Sequence, residues 1–102
     1  SQEAWIGDTR LSAFEGEVVV AGPTTYGSPM YEVGLAAGDR ILTLDSTAIA
    51  TTEDVARVLA GKQPGTQLRV TWQSRAGEMS GTMRLRGNPR MEVVPYEEAG
   101  RT

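Results

Sequence analysis

Apolar and polar residues alternate along DTRLSAF (residues 8–14), with Thr9, Leu11 and Ala13 on one side and Arg10, Ser12 and Phe14 on the other. Glu15-Gly16 interrupts the pattern, and the β-branched run EVVVA follows, so residues 8–21 are predicted to form a β-hairpin. TQLRVTWQ alternates in the same way, with Leu68, Val70 and Trp72 inward. Arg75-Ala76-Gly77-Glu78 then turns the chain into MSGTMRLR, whose Met79, Met83 and Leu85 share a face, which predicts a second hairpin. Between the hairpins, RILTLD reads as a strand buried on both faces through Ile41, Leu42 and Leu44. RMEVV, after Gly87-Asn88-Pro89, reads as a last short strand.

Two helices are expected. Ser28 suits an N-cap, Pro29 the first helical position, where its missing N–H has no partner to lose, and Gly34 a terminus, giving about two turns at most. The second helix is EDVARVLAGK, capped by Thr51 or Thr52, with Glu53 and Asp54 at the positive end of the dipole. Val55, Val58 and Leu59 recur at i, i+3 and i+4 and point to the core, and Gly61 and Pro64-Gly65 end the helix. GPTTYGSP, with two glycines and two prolines, is a loop.

The order strand, strand, short helix, strand, longer helix, strand, strand, short strand contains no parallel βαβ series. It predicts an α+β fold: a partly open antiparallel β-barrel or sandwich of five to six strands capped by two helices. At 102 residues and 39% hydrophobic content the chain is expected to hold one core. Ten basic against 13 acidic residues give a net charge of -3, opposite to the basic surface that nucleic acid demands. No run approaches the roughly 18 apolar residues of a membrane-spanning helix.

The chain has neither His nor Cys. That excludes Ser-His-Asp and Cys-His catalysis, disulfides and zinc sites of the usual kind. Carboxylates or Lys62, the only lysine, would have to carry any chemistry. Gly61-Lys62 lacks the spacing of a phosphate loop. Asp39 is expected to accept backbone hydrogen bonds in a turn, Trp72 to lie in the core, and Tyr26 and Tyr31 to rest their rings on the core with hydroxyls in water.

SPMYEVGLAAGDRILTLD (residues 28–45) resembles the SPAxxAGLxxGDxIxxxxG segment of PDZ domains of the bacterial, circularly permuted type, at Ser28, Pro29, Gly34, Leu35, Gly38, Asp39 and Ile41. TTEDVARVLAGKQPGTQLRVTWQSRAG continues the resemblance through the family's second helix, its Pro-Gly turn and the strand ending in Arg-x-Gly. The segment PMYEVGL is similar to the Pro-Ala-Tyr-x-Ala-Gly-Leu form in the C-terminal PDZ domain of glycyl-aminopeptidase-like zinc metallopeptidases. MEVVPYEEAGRT resembles the segment that follows that domain. HtrA-like serine proteases and site-2-type proteases carry related domains, usually without the Tyr. On this basis residues 1–4 are expected to be linker or cloning-derived residues, 5–94 the PDZ domain, and 95–102 a polar tail leading to the rest of a parent protein.

The resemblance implies a non-catalytic module that binds an extended peptide, or a segment of the parent itself, by β-strand addition. Zinc is expected only in the parent's catalytic domain, with no cofactor in this chain. The isolated domain is expected to be a monomer, in a bacterial cytoplasm or periplasm. The implied edge strand is residues 9–13 (Thr9, Arg10, Leu11, Ser12 and Ala13), and the other groove wall is the helix near Thr52. Thr52, Ala56 and either Leu59 or Ala60 recur at about one turn and would line that groove; an ordinary amphipathic helix without a ligand fits the same spacing. The family's carboxylate-binding loop corresponds to Trp5-Ile6-Gly7-Asp8, where Ile6 and Gly7 fit. Asp8 replaces an apolar residue and puts negative charge where an anion would dock, which makes an internal peptide or a segment of the parent enzyme a serious alternative to a terminal carboxylate as ligand. Arg10 would favour an acidic ligand residue, or is simply solvated. A packing domain whose groove is filled by the parent chain is the structural alternative.

Overall fold

The computed structural model describes residues 3–89. Its strands are β1 (Ala4–Trp5), β2 (Leu11–Phe14), β3 (Glu17–Val20), β4 (Arg40–Leu44), β5 (Thr47–Ala48), β6 (Gln67–Ser74), β7 (Gly77–Arg84) and β8 (Arg86–Gly87); its helices are α1 (Pro29–Val33) and α2 (Thr52–Leu59). The main sheet runs β2-β3-β4-β6-β7 with β5 paired to β4, six strands in all, entirely antiparallel and not closed into a barrel. β1 and β8 form a separate two-stranded ladder. RMEVV and the tail lie outside the described residues.

Both expected hairpins are present. The first is shorter than residues 8–21, because pairing starts at Leu11↔Val20 and closes at Phe14↔Glu17. Glu15 (φ 52) and Gly16 (φ 80) make the two-residue turn, whose positive φ values match the twist of the flanking strands. In β4 the expectation of burial on both faces is corrected. The register against β6 slips between Ile41↔Trp72 and Thr43↔Thr71, so Leu42 is the extra residue of a β-bulge. The slip puts Ile41 and Leu44, three apart, on the same buried face, while Leu42 is half-buried.

Leu68, Val70 and Trp72 are buried as the alternation requires, and so are Met83 and Leu85. Met79 keeps the phase but is 44% exposed. β7 is an edge strand, so Met79 has Trp72 opposite it in β6 and no strand neighbour on the other side among the described residues.

α1 forms as the sequence dictates. Ser28 Oγ accepts from Tyr31 N at 3.2 Å, Pro29 opens the helix, and Gly34 ends it in the left-handed conformation. A helix's first N–H groups have no partner within the helix. Here Met30 N donates to Ile6 O at 2.9 Å, which ties α1 to the loop after β1. The helix lies on β7 where Gly81 leaves room, since a Cβ at Gly81 would stand 2.8 Å from Val33 Cγ2. Tyr26 and Tyr31 correct the expectation of rings laid on the core: both are exposed and pack on each other with centroids 5.1 Å apart. Asp39 takes its expected turn role, its Oδ2 accepting from Ala36 N at 2.8 Å.

α2 starts at a capping box. Thr51 Oγ1 accepts from Asp54 N (3.1 Å) and Asp54 Oδ2 accepts from Thr51 N (3.0 Å) and Ala50 N (2.8 Å), while Arg57 Nη2 reaches Oδ1 at 2.7 Å. The bond from Ala50 N, then the Arg57 guanidinium, then the bond from Thr51 N lower the Asp54 pKa from 3.8 to about 2. The helix ends at Leu59, earlier than Gly61, because Ala60 has turned to extended φ/ψ. A carboxyl held below its unfolded value stabilises the fold fully above about pH 4, and that contribution disappears as pH falls through about 2. Thermal melts from pH 5 to pH 2 should therefore show an acid-dependent component that Asp54→Asn lacks. Thr51→Ala should cost about 1 kcal/mol in denaturant unfolding at neutral pH.

Candidate functional site

β2 is one end of the sheet path, and its outward side has no strand partner among the described residues. The ladder's phase shows which groups are left over. Ala21 N donates to Arg10 O at 2.8 Å, so Arg10, Ser12 and Phe14 turn their main-chain groups toward β3. Alternation then aims the N–H and C=O of Leu11 and Ala13 away from the sheet. The side chains of Leu11 and Ala13 share a face with the buried Val20 and Val18, which half-buries Leu11, whereas Ser12 and Phe14 stay exposed.

α2 packs beside β2. Val55 is buried, Thr52 and Leu59 are half-buried, Ala56 is exposed, and Leu59 also leans on the core. The helix thus supports an edge whose backbone is open, with the small Ala56 between the larger Thr52 and Leu59.

The loop between β1 and β2 is fixed from below. Ile6 is buried, and Gly7 (φ 139) is pressed against the start of α1: a Cβ there would lie 2.9 Å from Met30 Cε and 3.1 Å from Ser28 Oγ. Asp8 is exposed and its Oδ1 accepts from Trp5 Nε1 at 2.9 Å, so the carboxylate is held on the loop. Thr9 Oγ1 donates to Pro23 O at 2.8 Å, while the Arg10 side chain is exposed.

A cleft of about 560 Å³ opens at the C-terminal half of α2, lined by Ala56, Leu59, Ala60, Gly61, Lys62 and Gln63 on one side and Glu3 and Ala4 on the other. It brings together two of the sequence-derived site residues, Ala56 and Leu59, with Ala60, the alternative to Leu59. Thr52 and residues 6–12 do not line it. Sequence reasoning did not find Glu3, Ala4 and Gln63 as walls, because Ala4 is placed by pairing with Gly87 across the length of the chain. Lys62 and Glu3 give the cleft one charge of each sign. Among the described residues neither is in an ion pair, no group of three acidic residues could hold a metal, and no helix is long and apolar enough to cross a membrane.

An open sheet edge flanked by a helix, with a Gly loop at one end, defines a β-augmentation fold of the PDZ kind. The PDZ domain family matches residues 8–80, and the chain belongs to that family. Among solved structures, the HtrA-type protease AlgW with decapeptide is similar over 86% of this chain and 30% of its own, with a TM-score of 0.75 and 21% identity. The aminopeptidase N family protein from Idiomarina loihiensis is similar over 84% of this chain and 14% of its own, with a TM-score of 0.74 and 23% identity. The HtrA3 PDZ domain bound to the phage-derived ligand FGRWV is similar over 92% of this chain and 98% of its own, with a TM-score of 0.71 and 13% identity. At such identities the likeness is one of fold. The chain spans about a third or less of the AlgW and aminopeptidase N family structures. No curated protein sequence matches it.

Gly7 sits where an L side chain is strained by φ and blocked by α1. Gly7→Ala should therefore lower stability by about 1–3 kcal/mol in a denaturant titration, with amide shifts changing at Met30 as well as along the loop.

Proposed function

We propose that this chain is a peptide-binding module that captures an extended segment by strand addition to β2, alongside α2, and serves a protease as its regulatory or substrate-positioning domain. The observation that carries the reading is the outward-facing backbone of Leu11 and Ala13 at an edge supported by α2. Main-chain pairing there supplies affinity, and the space over Ala56 and the cleft beyond it admit side chains that supply selectivity. Similar folds solved with a decapeptide and with FGRWV support this mode.

The parent we favour is a glycyl-aminopeptidase-like zinc metallopeptidase. The support is Tyr31 within PMYEVGL, together with the likeness to an aminopeptidase N family protein. The alternative, an HtrA-like or site-2-type protease, draws support from the likeness to AlgW. On either reading the chemistry belongs to another domain; zinc, in the first, is held there, and no residue of this chain is proposed as its ligand.

The ligand is an internal segment in preference to a free C-terminus. Asp8 places a carboxylate, fixed by Trp5 Nε1, on the loop where a terminal carboxylate would dock, and like charges repel. A groove occupied by the parent's own chain, orienting the catalytic domain, is compatible with this preference.

Titrating the labelled chain with matched free-acid, amidated and internal peptides should shift the amides of residues 9–13 and of Ala56, the internal and amidated forms doing so at least as strongly. A panel that leaves both regions unmoved would sink the binding role. Asp8→Leu should raise the preference for free-acid over amidated peptide by about fivefold, the factor for unit charges about 4 Å apart in water. An unchanged ratio would mean that the loop does not read carboxylates.

A further inference from the structure

The sheet has a second open edge, at its far end from β2. β7 (Gly77–Arg84) is eight residues long, and no strand pairs with its outer side among the described residues. Leu85 N donates to Thr66 O at 2.8 Å and Gly65 N to Leu85 O at 2.7 Å, so the odd-numbered residues of this segment bond inward to β6. The N–H and C=O of Glu78, Ser80, Thr82 and Arg84 therefore face outward.

Edges of this length are usually blunted by charge, because a bare one recruits other chains. β7 carries two charged residues, Glu78 near one end and Arg84 at the other, both exposed and neither in an ion pair among the described residues. Their spacing makes the strand complementary to itself. When β7 is laid antiparallel against a second β7 about a two-fold axis at Gly81, Glu78 falls opposite Arg84, Ser80 opposite Thr82 and Met79 opposite Met83. Glu78, Ser80, Thr82 and Arg84 are the residues whose backbone groups face outward, so charge pairing and hydrogen-bond phase select the same register. Shifting it by two residues breaks the match between Glu78 and Arg84.

We propose that β7 is an interface between two copies of this chain, paired antiparallel about Gly81 and held in register by reciprocal Glu78 to Arg84 ion pairs. The interface is isologous, with the same surface used by both copies. It leaves β2 and α2 free, so a dimer presents two peptide-binding edges at opposite ends. It differs from the monomer expected from sequence.

Sedimentation equilibrium of the 102-residue chain from about 10 μM to 1 mM should show a concentration-dependent dimer, with a dissociation constant that rises with salt as exposed ion pairs are screened. Glu78→Arg alone sets like charges opposite Arg84, and Arg84→Glu alone sets them opposite Glu78, so each should weaken self-association at least tenfold. An equimolar mixture of the two variants restores opposite charges at both contacts and should recover association as a heterodimer. Both side chains are exposed, so circular dichroism should show unchanged folds. A wild-type chain that stays monomeric throughout the range, single reversals that leave the dissociation constant unchanged, or a mixture that fails to recover would each overturn the interface. Were either variant to misfold, the salt dependence of the wild-type dimer would decide, and a salt-independent constant would count against the ion pairs.

Discussion

An antiparallel sheet that does not close has two edges, and each edge leaves every second residue with main-chain groups unpaired. That constraint organises this domain. The path from β2 to β7 does not wrap on itself, so one end is left beside α2 and the other at β7, whose face carries α1. Burial of the sheet's inner face supplies the stability, while the edges leave main-chain groups free to pair with another strand.

The two helices serve this sheet unequally. α1 is wedged between the loop after β1 and the face of β7, with Met30 fully buried and its N–H spent on Ile6 O. Gly7 and Gly81 are the two places where backbone comes too close to α1 for a side chain. α2 is joined to the core mainly through Val55, and its own start is secured by the exchange of bonds between Thr51 and Asp54. Half-buried Thr52 and Leu59 flank an exposed Ala56, leaving a small residue on the side open to solvent.

What was legible in the sequence is what local chemistry dictates. Ser28, Pro29 and Gly34 each impose a conformation on a single position, and α1 begins and ends accordingly. Both hairpins follow from alternation and their turn residues. The bulge at Leu42 was not legible, because it is a mismatch between β4 and β6, and neither strand states it alone. Met79 obeys the alternation yet is exposed, since burial also requires a neighbour that an edge strand lacks. Tyr26 and Tyr31 found each other in place of the core. Of the candidate site, the helix positions Ala56 and Leu59 meet at the cleft, but its opposite wall is Glu3 and Ala4, positioned by a two-residue ladder too brief to leave a pattern.

The composition of the cleft has a chemical consequence. Lys62 is the only lysine in the chain and lines that wall, so it is the sole side-chain primary amine the domain presents. An amine-selective acylating reagent has this one side-chain target, on the cleft wall beside Gly61. A modification that removes its charge would leave Glu3 as the only ionised side chain lining the cleft and turn a charge-balanced wall into a negative one.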